Sequence, residues 1–182
     1  MHILDLVQNS IEAQASEVWL HINEMISTDA LMIKIGDNGR GMNQETVDRV
    51  VSPFVTTRTT RKVGLGLPLI SMSTLRSDGF MVIESEVGKG TTVTAVYRYG
   101  HWDRPPLGDM VQTVKALLVA NPGLDFTYKH TVDGNSFTIS ARELSEILGD
   151  IPFDQPDVLL WLEDYLAQGI GNLYGGVDSE DS

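Results

Sequence analysis

The spacing of apolar residues changes period several times along this chain, and each change marks an element. Ile3, Leu4, Leu6, Val7 and Ile11 recur at helical spacing across residues 2–13. Asp5, Asn9 and Glu12 stand at i, i+4 and i+7 of the same stretch, which lays a polar ridge along that helix. The period then drops to two. Val18, Leu20 and Ile22 face one way and Glu17, Trp19 and His21 the other, so a strand is predicted over 17–23. Leu31, Ile33 and Ile35 alternate likewise over 31–36, and Ser27-Thr28-Asp29 between the two runs predicts an antiparallel hairpin. Asn43 is placed to cap a helix over 44–51.

Residues 52–63, SPFVTTRTTRKV, are polar, basic and threonine-rich, and read as a mobile loop. Pro68 suits the first turn of an apolar helix over 68–77. Strands over 80–86 and 91–99 flank Val87-Gly88-Lys89-Gly90, which predicts a second hairpin. The adjacent Pro105 and Pro106 close this first pattern. Beyond them the pattern predicts a helix over 108–120, strands over 124–131 and 135–140 about Asp133-Gly134, and helices over 141–148 and 156–168. The division is therefore one domain over 1–99, a linker over 100–106, a small α/β C-terminal extension over 107–174, and a disordered acidic tail over 175–182.

Composition narrows the function classes. The 182 residues carry a net charge of −12, and residues 141–182 hold ten acidic side chains against one basic one, Arg142. Such acidity argues against an extended nucleic-acid surface, which needs clustered Lys and Arg. The chain has no cysteine, so thiolate chemistry, disulfides and Cys-based zinc sites are excluded. No apolar run reaches the roughly 18–20 residues of a membrane helix, and the N-terminus lacks a secretory pattern, so a cytoplasmic protein is expected.

Four short stretches carry candidate chemistry. They are Asp5-x-x-x-Asn9 on the first helix, Asp37-x-Gly39-x-Gly41 after a strand, Gly64-x-Gly66 before a helix, and Gly88-x-Gly90-Thr91-Thr92 in a hairpin. A P-loop does not fit the last, because position 83 is Ile where the earlier glycine belongs. A dinucleotide fingerprint does not fit the second, because position 44 is Gln. Gly88 and Gly90 also suit an ordinary hairpin, and Arg58, Arg61 and Lys62 also suit a solvated loop.

In this order the four stretches resemble the ATP-binding domain of the GHKL superfamily, shared by histidine kinases, type II topoisomerases, heat-shock chaperones and MutL-type mismatch-repair proteins. The likeness covers residues 1–99 and implies an α+β fold, a two-layer α/β sandwich of the Bergerat type: a mixed sheet with helices on one face. It implies ATP and Mg²⁺ as ligands. Asp37 would accept a hydrogen bond from the adenine amino group, and Gly39 and Gly41 would let backbone approach the base. Asn9 would give its amide oxygen to Mg²⁺. Gly64, Leu65 and Gly66 would present amides to the phosphates at a helix N-terminus, with Lys62, Arg61 and Arg58 closing over them. Thr91 or Thr92 would touch the adenine region.

The likeness also sets limits. Asp5 stands where hydrolysing relatives carry a Glu general base, and its carboxylate falls about 1.5 Å short, a displacement that can cost roughly a hundredfold. Slow turnover is expected. No phosphoacceptor-histidine hairpin precedes the Asn9 helix in this sequence, and none of His2, His21, His101 and His130 has a His-Glu context. Two functions are compatible with these limits. One is a regulatory kinase-like or slowly hydrolysing ATPase acting on a separate protein partner, with a homodimer possible. The other is a nucleotide-gated interaction module without turnover.

Overall fold

The β-branched and aromatic alternation at the centre of the chain produces strands that share one sheet. The computed structural model describes residues 3–51 and 66–175. Their helices are α1 (Ile3–Glu12), α2 (Gln44–Val51), α3 (Gly66–Arg76), α4 (Met110–Ala120), α5 (Ala141–Leu148) and α6 (Pro156–Gly171). Their strands are β1 (Glu17–Met25), β2 (Ala30–Asp37), β3 (Phe80–Glu86), β4 (Gly90–Arg98), β5 (Asp125–Val132) and β6 (Asn135–Ser140). The loop predicted over 52–63 and the tail from 176 lie outside the described residues.

The six strands form a single mixed sheet in the order β3-β4-β2-β1-β5-β6, in which only β1 and β5 run parallel. Both predicted hairpins are present, β1 with β2 and β3 with β4. The two strands of the 107–174 segment join this sheet directly, with Val18 opposite Phe126 and Ile22 opposite His130. Between β5 and β6, Asp133 (φ 42°) and Gly134 (φ 96°) take the left-handed backbone that a two-residue hairpin turn needs.

Period-two patterning decides which face is buried. Leu20, Ile22, Leu31, Tyr97, Phe126 and Tyr128 point to one side, where α1, α3, α4 and α6 cover them with Val7, Ile70, Leu118, Leu162 and Leu166. Truncating any fully buried leucine of this layer to alanine costs about 2–5 kcal/mol. Trp19, His21, Lys34 and Thr94 point to the other side, which none of these helices covers. The fold is the α+β arrangement that the sequence implied, helices packed on one face of a mixed sheet.

Two carboxylates close the ends of the β1–β2 hairpin. Asp37 ends β2 opposite Val18, and Glu24 lies near the end of β1 opposite Leu31. Glu24 is almost wholly buried and accepts from His130 Nε2 at 2.7 Å and from the hydroxyl of Tyr174. His130 Nδ1 lies 2.8 Å from the hydroxyl of Tyr128. Burial pushes the Glu24 carboxyl up, but bonds from His130, Tyr174 and Tyr99 outweigh it and hold the group below its ordinary value.

Candidate functional site

The buried stripe of α1, read as Ile3, Leu6, Val7 and Ser10, puts one hydroxyl among apolar side chains. A buried hydroxyl needs a partner, and Ser10 Oγ donates to Asp37 Oδ2 at 2.7 Å. The other oxygen, Oδ1, accepts from the amide of Gly39 at 2.9 Å and from that of Thr91 at 3.3 Å. A carboxylate has about four acceptor positions. Three are occupied here, and the carboxylate faces a cavity with one position left.

That cavity has a volume of about 800 Å³, within the roughly 300–1,000 Å³ of small-molecule sites. Leu6, Ile35, Val50, Leu67 and Val93 make its apolar walls; Asn9, Asp37, Thr46 and Thr91 supply polar atoms, and Glu12 and Arg40 stand at its edge. Apolar walls suit a flat ring, and an oriented carboxylate among them suits a donor on that ring's edge.

The loop after β2 is held from both sides. Asn38 Oδ1 accepts from the amides of Ser16 and Glu17, the amide of Arg40 donates to the Ala13 carbonyl, and the amide of Met42 donates to Ser85 Oγ. Ser85 Oγ is also 2.8 Å from Thr91 Oγ1, so the β3–β4 hairpin and this loop form one polar seam. At Gly41 (φ 65°) an added Cβ would lie 1.9 Å from the Glu86 carbonyl oxygen. At Gly39 it would lie 2.8 Å from the Ala13 carbonyl oxygen. The atoms a Cβ would meet belong to Ala13 and to Glu86, so both glycines let the loop pack on the end of α1 and on the hairpin. Gly41 lines the cavity as well.

The sequence-predicted residues separate as follows. Asn9, Asp37, Gly41 and Thr91 line one cavity. Gly66 opens α3 next to Leu67, and a Cβ there would stand 3.0 Å from Asp5 Cβ, so α1 and the start of α3 meet at that point. Asp5 is exposed and outside the cavity lining. Thr92 pairs with Gly36 while Thr91 pairs with Asp37, so the pleat turns Thr92 to the uncovered face and separates it from the other site residues. Lys62, Gly64 and Leu65, with Arg58 and Arg61, lie outside the described residues.

Sequence reasoning missed Ser10 and Ser85. For Ser10 a signal was present: it falls on the apolar stripe of α1, one turn after Leu6, where a polar side chain must be answered by another element. Ser85 carried none, because a serine in an edge hairpin is ordinary.

A family model described as "Histidine kinase-, DNA gyrase B-, and HSP90-like ATPase" matches residues 2–100. Sporulation kinase D of Bacillus subtilis is 37% identical over 92 residues, which are 50% of this chain and 18% of that protein. Sensor protein kinase FleS of Pseudomonas aeruginosa is 35% identical over 94 residues, 52% of this chain and 23% of that one. The match thus spans about a fifth of the length of these curated relatives. Among solved structures, one described as the N terminal domain of a DNA repair protein superposes with a TM-score of 0.52 at 16% identity. It covers 81% of this chain and 56% of that one, and at this identity the likeness is one of fold.

Proposed function

The chain belongs to the histidine kinase-, DNA gyrase B- and HSP90-like ATPase family, and from that premise we propose that it binds ATP with Mg²⁺ and slowly hydrolyses it or passes its terminal phosphate to a separate protein. The observation that carries the reading is Asp37, a carboxylate fixed by three donors with its fourth acceptor position toward an apolar-walled cavity.

Each residue has a role on this reading. Asp37 accepts from the exocyclic amine of adenine, while Ser10 and the amides of Gly39 and Thr91 orient it. A guanine presents a carbonyl at that edge and is refused, since two acceptors face each other. Asn9 would hold Mg²⁺ through its amide oxygen, the kind of neutral oxygen ligand that this ion accepts. Bound Mg²⁺ neutralises charge on the phosphate oxygens. Gly66, with Gly64, Leu65 and Lys62 before it, serves the phosphates at the N-terminus of α3. Asp5 is the general base, and Thr92 has no part. Among the described residues no helix is long and apolar enough to cross a membrane, and we place the protein in the cytoplasm, acting on another protein.

The exposure of Asp5, beyond the cavity lining, favours a second reading: nucleotide binding gates a protein contact without turnover. Phosphate release and label transfer from terminally labelled ATP separate the two. Under the first reading Asp5→Asn lowers the rate by about a hundredfold while ATP affinity is kept. Equal rates in variant and wild type leave only the gating module.

A further inference from the structure

The uncovered face of the sheet has a charge pattern that the nucleotide site does not use. Register places Lys34 of β2 and Lys129 of β5 on either side of His21 of β1, so three basic side chains stand in one cross-strand row. Like charges directly opposite one another destabilise a sheet, and this row sits in a chain of net charge −12. Among the described residues Arg49, Lys89, Arg98, Lys115 and Arg142 each have an acidic partner; Lys34 and Lys129, like Arg40, Arg76 and Arg104, have none, and they are the two that stand in one row. The carboxylates that share this face stand off. Glu84 is two strands from Lys34 and one row along, Glu86 beyond it is engaged by Lys89, Glu17 is at the start of β1, and Asp125 is engaged by Arg142.

Beside the row lies a flat aromatic surface. A Cβ on Gly36 would stand 2.1 Å from Trp19 Cζ2, so the glycine lets the indole lie down across the sheet. Lys34 Nζ is 5.6 Å from the indole centroid, and the rings of Trp19 and His21 are 4.7 Å apart. Burial, then Lys129 and Lys34, depress His21 below its ordinary range. The row is thus held with one of its three charges suppressed. On the far side, Phe80 and Val82 of β3 are 53% and 44% exposed.

We propose that this face, centred on Lys34, His21 and Lys129 beside Trp19, is a docking surface for an acidic protein segment that also presents an apolar side chain. Charge complementarity names the occupant: carboxylates relieve the like-charge row, and an apolar group covers Phe80 and Val82. A long polyanion fits worse, because the acidity of the whole chain repels charge extending beyond the row. Two lysines also lack the forked donors that select phosphate. The face is the reverse of the one that α1 and the cavity occupy, so a docked segment leaves the cleft open. The inference does not rest on the nucleotide reading.

A fluorescent Asp/Glu peptide ending in leucine is titrated into the full chain, without nucleotide, against Lys34→Glu/Lys129→Glu. Wild type is expected to bind with an affinity that falls as salt rises, and the double variant to lose at least about tenfold. Peptide is also expected to raise the titration midpoint of His21 followed by NMR. Unfolding and ATP titrations check the variant, and Lys34→Gln/Lys129→Gln replaces it if it does not fold. Equal binding by wild type and variant, or no binding by wild type, overturns the proposal. So does an unmoved His21. Binding of a single-stranded oligonucleotide in place of the peptide reassigns the face to nucleic acid. Concentration-dependent mass that the variant abolishes reassigns it to a second copy of the chain.

Discussion

Asp37 and Glu24 sit at opposite ends of the same hairpin, and each carboxylate is met by several donors. What differs is what stands beyond those donors. Around Glu24 the donors are large rings, His130 and Tyr174, with Tyr128 behind His130, and together they seal the carboxylate from water. Around Asp37 the donors are a serine hydroxyl and two backbone amides, which orient the carboxylate and fill little space. Small donors leave a cavity; large ones leave a core. The bulk of the donors thus decides whether the carboxylate ends in a packed core or beside an open cavity.

The comparison breaks if the two carboxylates respond alike to removal. Glu24→Ala leaves His130 and Tyr174 without their acceptor and is expected to lower unfolding stability by about 3–5 kcal/mol, with nucleotide affinity unchanged. Denaturant unfolding at several pH values checks this. The Glu24 carboxyl is held below its ordinary value, so its stabilisation is present in full above the unfolded-state pKa. It is lost as pH falls through the folded one. The gap between wild type and variant should be widest near neutrality and narrow in acid. An unchanging gap would assign the loss to packing alone.

A smaller change sharpens the same contrast at the other end. Ser10→Ala removes one of three donors to Asp37 and takes only a hydroxyl from the cavity lining. The loss of one hydrogen bond to a charged group should lower unfolding stability by about 1.5 kcal/mol, and the less firmly oriented carboxylate should weaken ATP binding as well. A variant that unfolds early but binds ATP normally would place Ser10 with the core instead.

Much of this was legible in the chain because the signals were local. Period-two runs gave both N-terminal hairpins, and helical spacing gave α1 with Asn9 on its polar ridge. The Asp-Gly-Gly loop was visible as chemistry, yet the reason for its glycines was not. Whether Gly41 yields to a ligand or to the Glu86 carbonyl depends on a hairpin more than forty residues later. The choice between Thr91 and Thr92 needed the register of β4 against β2, which one strand's own pattern does not set. The parallel pairing of β5 with β1 joins residues more than a hundred positions apart, and the His130–Glu24 contact exists only through it.

Calorimetric titration of ATP with Mg²⁺ into wild type and into Asp37→Asn bears most directly on the cleft. If the carboxylate selects adenine, wild type binds ATP over GTP and the near-isosteric variant loses at least about a hundredfold in ATP affinity with an unchanged unfolding midpoint. Equal ATP affinities in the two proteins would contradict the account.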